Sequence, residues 1–208
     1  MYKILFVLLT SCLLNFSFAG TVIVTNTNDS GAGSLRTAIS LASAGDTVRF
    51  SQSLITTGTA SLVLLSPILF SKPLVIKGLY NNSDTLFISG GGTTNLFEIT
   101  NTSNVYFDSV FLIDGFTTNS GGAISFSNSD SLFISNSILK RNETTINSGG
   151  AISCRALVLK PIFLSVVNCQ ILDNIARGGG GIYMYGIYEV YGVIRKSKIS
   201  NNNQGGVI

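Results

Sequence analysis

Residues 105–115 of the chain read VYFDSVFLIDG, and the same short pattern returns as LFISNSILKRN (132–142), LSVVNCQILDN (164–174) and GVIRKSKISNN (192–202). Each copy is followed by a glycine-rich tetrapeptide, GGAI, GGAI, GGGI and GGVI, and these end at Ile124, Ile152, Ile182 and Ile208. The intervals are therefore 28, 30 and 26 residues. Such a period is typical of a solenoid, because each repeat buries its apolar face only by stacking on its neighbour.

Aligning the four copies predicts columns of side chains that line the interior. The two apolar columns are Phe111, Leu139, Ile171, Ile199 and Tyr106, Ile134, Val166, Ile194. A column of small residues precedes the first of them by two positions and consists of Ser109, Ser137, Cys169 and Ser197. In each copy the small residue also lies three positions after the residue of the second apolar column, as Ser137 does after Ile134. Both positions are predicted to point inward, and a spacing of three breaks the two-residue alternation of a strand, so we expect a bend between them.

Polar residues occupy the predicted corners. The bend contains Asp108, Asn136, Asn168 and Lys196, and a second column, three residues after the first apolar one, contains Asp114, Asn142, Asn174 and Asn202. Asn and Asp tolerate the left-handed backbone conformation that a corner requires, and stacked amides hydrogen-bond along a column. We therefore interpret both columns as structural.

The glycines open a third strand, whose inward residues are predicted to be Ile124 with Phe126, Ile152 with Cys154, and Ile182 with Met184. Three short strands per turn predict an all-β fold, a parallel β-helix over 51–208, and the general preference of crossovers makes it right-handed. Ile208 stands at a third-strand opener, so the β-helix is predicted to be incomplete at its C-terminus. An anchor or sorting domain, a partner, or truncation of the gene product would account for such an end.

The N-terminal 50 residues are built differently. Residues 1–19 have a basic start at Lys3, an apolar run and small residues before Gly20, which predicts a secretory signal peptide cleaved after Ala19. The alternative is a lipoprotein site at Cys12. No other run is long enough for a transmembrane helix in the mature chain.

Residues 20–50 predict an N-terminal cap made of a strand, a helix and a strand. Ser34 is a helix cap, the helix ends at Gly45, and its apolar positions are Leu35, Ala38, Ile39 and Ala42. A solenoid needs such a cap, because its first coil has an unpaired edge and an open apolar end. Asp29, Arg36 and Asp46 are assigned to pairing within it.

The repeats resemble those of polymorphic outer-membrane-protein passengers, which pair GGAI with a [Phe/Leu/Ile]-x-x-Asn tetrapeptide. Here the tetrapeptides are LKRN, ILDN and ISNN, ending at Asn142, Asn174 and Asn202, whereas the first copy departs with FLID ending at Asp114. Residues 20–50 are similar to the opening of many secreted β-helix proteins, in which TVTNTNDSG, GSLR-x-AI and GDT-[Val/Ile]-x-F recur. The resemblance implies a secreted or cell-surface, outer-membrane-associated protein with an adhesin-like role, and it carries over no catalytic residue and no cofactor.

The two longest insertions, 155–162 and 185–191, suggest a binding surface on one side of the solenoid. Its candidate residues are Arg155, Lys160, Tyr185, Tyr188 and Tyr191. Tyrosines beside basic residues suit contact with carbohydrate or with a protein surface. The alternative is that the apolar loop residues pack on the wall below.

Charge and composition narrow the function further. Charged residues make up only 11% of the chain and the formal net charge is +3, too low for a nucleic-acid-binding face.

Cys154 and Cys169 remain after cleavage and are predicted to be buried thiols rather than a disulfide, and no metal-ligand spacing is present. A carbohydrate-active enzyme is the alternative function, with Asp108 and Asp114 as the two acids that lie close within one repeat.

Overall fold

The computed structural model describes residues 19–55, 58–80, 84–203 and 206. The predicted signal peptide, apart from Ala19, and the alternative lipidation site at Cys12 lie outside the described residues. The final opener at Ile208 also lies outside them.

Within the described residues, twenty strands and one α-helix follow one another. In order they are β1 (Thr21–Val24), α1 (Leu35–Leu41), β2 (Thr47–Phe50), β3 (Thr59–Val63), β4 (Ile68–Phe70), β5 (Val75–Lys77), β6 (Thr85–Ser89), β7 (Phe97–Thr100), β8 (Val105–Asp108), β9 (Phe111–Ile113), β10 (Phe116–Thr117), β11 (Ile124–Ser127), β12 (Ser131–Ser135), β13 (Ile138–Lys140), β14 (Glu143–Thr144), β15 (Ile152–Ala156), β16 (Ile162–Val167), β17 (Gln170–Leu172), β18 (Ile182–Gly186), β19 (Val190–Arg195) and β20 (Lys198–Ser200). A 3-10 turn spans Gln52–Leu54.

The strands form three long sheets that wrap one interior. Sheet 1 has the order β1-β2-β5-β8-β12-β16-β19, sheet 2 the order β20-β17-β13-β9-β6-β3, and sheet 3 the order β18-β15-β11-β7-β4. Neighbouring strands in all three are parallel, so each turn of the coil, here called a rung, lies on the previous one. The chain is an all-β parallel solenoid of about six turns with one short helix, as the repeats predict. Its right-handed sense stays a prediction.

The interior is one continuous apolar core built from inward columns. In sheet 3, Ile124 pairs with Ile152 and then Ile182, while Phe126 pairs with Cys154 and then Met184. The largest side chains with no exposure include Phe97, Phe107 and Phe126. Phe97 and Phe107 meet edge to face with ring centroids 5.0 Å apart. Fully burying one such side chain contributes about 1.5–3 kcal/mol.

The alignment of the first repeat is wrong by one residue. Phe107 pairs with Ile134, and Leu112 pairs with Leu139, whereas the sequence prediction used Tyr106 and Phe111. Tyr106 and Phe111 point outward. The inward position predicted for Ser109 is occupied by Val110, which is buried and whose N–H donates to Ser137 Oγ on the next rung. A one-residue slip in register exchanges the two faces of a strand, which explains why the whole first copy is affected.

The reason for the slip is a change of interval within the rung. Asp108 pairs with Ser135 and Thr117 with Thr144, both 27 residues apart, but Ile124 and Ile152 are 28 apart. The extra residue of the second rung therefore sits in the loop between β14 and β15. Because the sequence alignment counts positions back from the glycine openers, this extra residue displaces every column of the first copy by one position.

Two rows of left-handed residues make the corners. After sheet 1 they are Ser109, Asn136, Asn168 and Lys196, with φ of 54°, 49°, 55° and 51°. After sheet 2 they are Asp114, Arg141, Asp173 and Asn201. The predicted corner residues Asp108, Asn142, Asn174 and Asn202 are thus each one position away from the left-handed residue.

A fourth short side was not predicted. β10 and β14 pair in parallel between sheets 2 and 3, and single bridges join Glu143 to Ile175 and Ile175 to Asn203. This side brings the glycine openers of successive rungs close together, where only a residue without a Cβ fits.

The N-terminal cap forms as predicted. β1 and β2 are parallel neighbours, and the Ser34 side chain caps α1 by accepting from the Thr37 N–H. The helix is shorter than expected and ends at Leu41 instead of continuing to Gly45. Leu35, Ala38 and Ile39 are buried against the core, so the helix covers the open end of the coil.

Arg36 and Asp29 fasten this cap to the first rung. The Arg36 guanidinium lies 2.7 Å from Asp29 Oδ1 and donates to the carbonyls of Ser66 and Pro67, both at 2.7 Å. Asp29 Oδ1 also accepts from the Leu65 N–H at 3.0 Å. Asp46 works in the same way inside the cap, accepting from the N–H groups of Gly20 and Ser43.

We expect this clamp to make the protein sensitive to acid. Burial raises the pKa of Asp29, but the hydrogen bonds from Arg36 and Leu65 outweigh burial, and the net pKa lies below its ordinary value of 3.8. A lowered pKa in the folded state stabilises the fold above the ordinary value, and this stabilisation disappears as the pH falls through the lowered one. Asp29→Asn should therefore be less stable than the wild type at neutral pH, and the difference should shrink between about pH 5 and about pH 2. Urea denaturation across this range measures it, and a difference that is independent of pH would contradict it.

Candidate functional site

The inner polar column is a buried amide ladder. Asn142 Nδ2 donates to Asn174 Oδ1 at 3.0 Å, and Asn174 Nδ2 donates to Asn202 Oδ1 at 2.9 Å. The same amides also cap main-chain groups, since Asn174 Oδ1 accepts from the Asn142 N–H and Asn174 Nδ2 donates to the Leu139 carbonyl. Gly115 takes the equivalent place in the first repeat, where its N–H donates to Asn142 Oδ1. These side chains have their partners inside the wall and serve the fold.

The outer corner next to sheet 1 carries a second ladder. Asp108 Oδ1 accepts from Ser135 Oγ at 2.8 Å and from Asn136 Nδ2 at 2.7 Å, and Asn168 Nδ2 donates to Asn136 Oδ1. Lys77 Nζ lies 3.6 Å from the Asp108 carboxylate. Burial raises the pKa of Asp108, but these hydrogen bonds and Lys77 together bring its net pKa below 3.8. Asp108 is thus an anionic hydrogen-bond acceptor at neutral pH.

Asp114 lies at the other corner of the rung and is paired with Arg141 in two parallel bonds. The Arg141 Nε and Nη2 atoms lie 2.7 Å and 3.0 Å from its two carboxylate oxygens. Asp108 and Asp114 are therefore engaged at separate corners of the coil. This arrangement gives no support to their use as a catalytic pair.

The five predicted binding residues lie around one corner but on two faces. Arg155 and Tyr185 are cross-strand neighbours in β15 and β18 of sheet 3. Tyr191 lies in β19 of sheet 1, where it pairs with Phe163, and the Lys160 ammonium forms an ion pair with Asp130. Tyr188 lies in the short loop between the two sheets. The insertions are shorter than expected, because their ends extend β15, β18 and β19 and leave 157–161 and 187–189 as the loops.

These two loops expose a group of large apolar side chains to solvent. The most exposed is Leu159 at 81%, and Ile187 is exposed by 59% and Tyr188 by 46%. The Ile187 N–H donates to the Ala156 carbonyl, which brings the two loops side by side on successive rungs. We call this group the loop surface; it comprises Leu157, Val158, Leu159, Tyr185, Ile187 and Tyr188. The interpretation that these side chains pack on the wall below is wrong for Leu159 and Ile187.

An aromatic stripe on the outer face of sheet 1 adjoins the loop surface. Tyr106 stacks on Phe133 with centroids 4.6 Å apart and planes inclined by 8°, and Phe133 contacts Phe163 at 5.8 Å. A cavity of about 290 Å³ lies beyond them, lined by residues that include Lys160, Phe163 and Tyr191. This stripe is not predictable from a sequence alignment that places Tyr106 inside the coil.

A larger groove of about 590 Å³ runs over the outer face of sheet 3. Its floor consists of outward side chains from β7, β11 and β15, and its walls are 69–71 and 119–120. It contains one carboxylate, Glu98, and one guanidinium, Arg155, among serine and threonine hydroxyls. The sequence analysis named Arg155 but assigned it to a loop and did not single out Glu98.

Both described cysteines are free and buried, with Cys154 in sheet 3 and Cys169 at the corner after sheet 1. Burial raises the pKa of the Cys169 thiol to about 11. Thiols of this kind are protonated at neutral pH and behave as small apolar side chains.

No group of three or more His, Cys, Asp or Glu side chains is placed to hold a metal ion within the described ranges. In the same part of the chain, no helix combines the length and the apolar character needed to cross a bilayer. Comparison of the chain with protein-family models, with curated proteins and with solved structures finds no match.

Proposed function

We propose that the chain is an exported, non-catalytic binding module, adhesin-like in character, which docks onto a protein partner through its loop surface. The observation that carries the proposal is the exposure of Leu159, Ile187 and Tyr188 on two loops that are joined at their start by the hydrogen bond from the Ile187 N–H to the Ala156 carbonyl. Contiguous exposed apolar groups mark interaction sites, and tyrosine is enriched in such interfaces. Export, and a place at the cell surface, rest on the sequence of residues 1–19 and on the resemblance to secreted β-helix repeats.

The layout of the scaffold supports a binding role. A stack of rungs holds the two loops at a fixed spacing of roughly 4.8 Å, the distance between neighbouring strands. A rigid backbone below exposed apolar side chains lowers the entropy cost of association. In the first of these loops, Lys160 forms an ion pair with Asp130 at the start of the strand on the preceding rung.

The carboxylates favour binding over hydrolysis of a glycosidic bond. Glycoside hydrolysis requires two carboxyl groups on opposite sides of the scissile bond, between about 5 and 9.5 Å apart. The large groove over sheet 3 is lined by the single carboxylate of Glu98, and Asp108 and Asp114 are held at two different corners. The geometry thus gives binding the stronger support.

The proposal predicts that serine substitutions in the loop surface abolish binding without unfolding the protein. We expect the triple variant Leu159→Ser, Ile187→Ser, Tyr188→Ser to bind cells and immobilised extracellular-matrix proteins at least about tenfold more weakly than the wild type, since each side chain lost is worth on the order of 1 kcal/mol or more in an interface. Its denaturation midpoint should stay close to that of the wild type, because the three side chains are exposed.

The matched control is Leu65→Ser, which removes a leucine that is 77% exposed on an early rung. Saturable binding to a protein that is kept in this control and lost in the triple variant supports the proposal. Equal binding by the triple variant, binding to a glycan array alone, or no binding to any of these surfaces would contradict it.

A further inference from the structure

We infer that the groove over sheet 3 is a second binding site, separate from the loop surface, and that it takes an acidic oligosaccharide. The groove borders the loop surface, because Tyr185 pairs with Arg155, but no residue of the loop surface lines the groove, so this inference does not depend on the proposed function. Three features of the groove point to such a ligand: the hydroxyl groups of its floor, the unpartnered Nε of Arg155, and the separation of two opposite charges.

The floor of the groove is a row of hydroxyl groups. Register places Thr100, Ser127 and Arg155 next to one another on three successive rungs, and Glu98 beside Ser125 in the neighbouring column. Their side chains face outward, since the residues that alternate with them, Ile99, Phe126 and Cys154, are buried. A hydroxyl group both donates and accepts a hydrogen bond, as do the hydroxyl groups of a sugar.

One polar atom in the lining of the groove, Arg155 Nε, is buried without a hydrogen-bond partner among the described residues. Buried polar groups normally have partners, and leaving one unpaired costs about 1–3 kcal/mol. No salt bridge within the described residues engages Arg155, whose guanidinium fork matches a carboxylate. We therefore assign the acidic group of the ligand to the Arg155 end of the groove.

Glu98 marks the other end. Its carboxylate accepts from Asn95 Nδ2 at 3.1 Å and lines the same groove. Glu98 lies two rungs and two residues from Arg155, which corresponds to roughly 10–12 Å at ordinary strand spacings. A carboxylate at this end repels a second acidic group and accepts from a hydroxyl, so the ligand is about a disaccharide in length, with an acid at one end and hydroxyl groups at the other.

The face of the sheet favours a saccharide over a peptide. An extended peptide gains affinity by pairing its main chain with the edge of a sheet. Here β7, β11 and β15 are interior strands of sheet 3, each with a neighbour on both sides, so their main-chain groups are already paired. These three strands therefore offer only side chains to the ligand. Leu69, which is 67% exposed at the wall, provides an apolar surface for the face of a sugar ring.

Calorimetric titration with three sugars tests the inference. A hyaluronan tetrasaccharide and sialyllactose provide two kinds of acidic sugar, and lactose provides a neutral one. We expect at least one acidic sugar to bind, lactose to bind at least about tenfold more weakly, and Arg155→Gln to lose at least about tenfold in affinity, since hydrogen bonds between charged groups are the strong ones. The binding of the acidic sugar should also weaken as salt is added.

Two further variants keep the test decisive. Arg195→Gln removes a positive charge from the outer face of sheet 1 and should leave affinity unchanged, which separates local recognition from net charge. Ser127→Tyr fills the floor of the groove and should abolish binding even if Arg155→Gln is too unstable to measure. No binding of either acidic sugar, equal binding of lactose, or wild-type affinity in Ser127→Tyr would overturn the inference, and the triple variant of the loop surface should bind the sugar normally.

Discussion

Replacing Gly150 by alanine is expected to destabilise the protein by about 3 kcal/mol or more. A Cβ at this position would lie 2.2 Å from the Gly180 carbonyl oxygen and 2.7 Å from the Ile175 carbonyl oxygen. Both contacts are with main chain of the next rung, which cannot move aside without separating the two rungs. Gly122 shows the same relation one rung earlier, since its Cβ would lie 2.3 Å from the Gly150 oxygen. The glycine openers are thus explained by stacking and not only by the turn.

Gly92→Ala provides the control for Gly150→Ala. Gly92 has a φ of +69°, yet a Cβ there meets nothing within 4 Å. Its substitution should cost about 1–2 kcal/mol from backbone strain alone. Denaturation midpoints in urea, followed by circular dichroism, measure both variants. If Gly150→Ala were no more harmful than Gly92→Ala, the close approach of successive rungs on this side would be wrong.

Asn174→Leu should be destabilising by about 3–5 kcal/mol, because it leaves two buried main-chain groups without partners. Asn174 is fully buried, its Oδ1 accepts from the Asn142 N–H at 2.9 Å, and its Nδ2 donates to the Leu139 carbonyl at 3.1 Å. Leucine has a similar volume and can serve neither group. The loss should also disturb the neighbouring rungs, since the Asn142 and Asn202 amides both bond to Asn174.

Asn147→Leu is the matched control for the ladder. The Asn147 side chain is exposed and makes a single bond, from Nδ2 to the Thr118 carbonyl at 3.2 Å. Surface changes of this kind usually stay within about 0.5 kcal/mol. Equal destabilisation by the two variants would show that the buried ladder contributes nothing specific to stability.

The sequence predicts the architecture well because equivalent positions in successive rungs of a solenoid face the same environment and therefore need the same type of residue. Leu139, Ile171 and Ile199 must be apolar for the same reason, so their spacing alone reveals the rung. The amides of Asn142, Asn174 and Asn202 align for a similar reason. The cap is also predictable, since Ser34 and the apolar spacing after it specify a helix locally.

The sequence fails where the repeats give no distinguishing signal. Tyr106 and Phe107 are both aromatic, so hydrophobicity cannot say which one is buried, and only the pairing with β12 decides. The left-handed corner residues after sheet 2 include Arg141, whose side chain carries no conformational preference that reveals it. Here stacking between rungs imposes the backbone conformation.

The groove over sheet 3 could not be found from spacing alone. Glu98 and Arg155 are 57 residues apart and belong to rungs of different regularity, so their proximity depends on the register of three strands. The signal that points to it is the outward column of sheet 3, which changes from serine at Ser127 to a long basic residue at Arg155. Recognising that change requires the inward residues to be placed first.

The central claim is that successive repeats stack in parallel and in register. Nuclear Overhauser spectroscopy on the isotope-labelled protein tests this most directly, because paired residues on neighbouring rungs lie about 4.8 Å apart. We predict cross-peaks from Ile124 to Ile152 and from Ile152 to Ile182, and equally from Leu112 to Leu139 and on to Ile171. Cross-peaks that run in the reverse order along adjacent segments, as in antiparallel hairpins, or that join Phe111 instead of Leu112 to Leu139, would contradict the account.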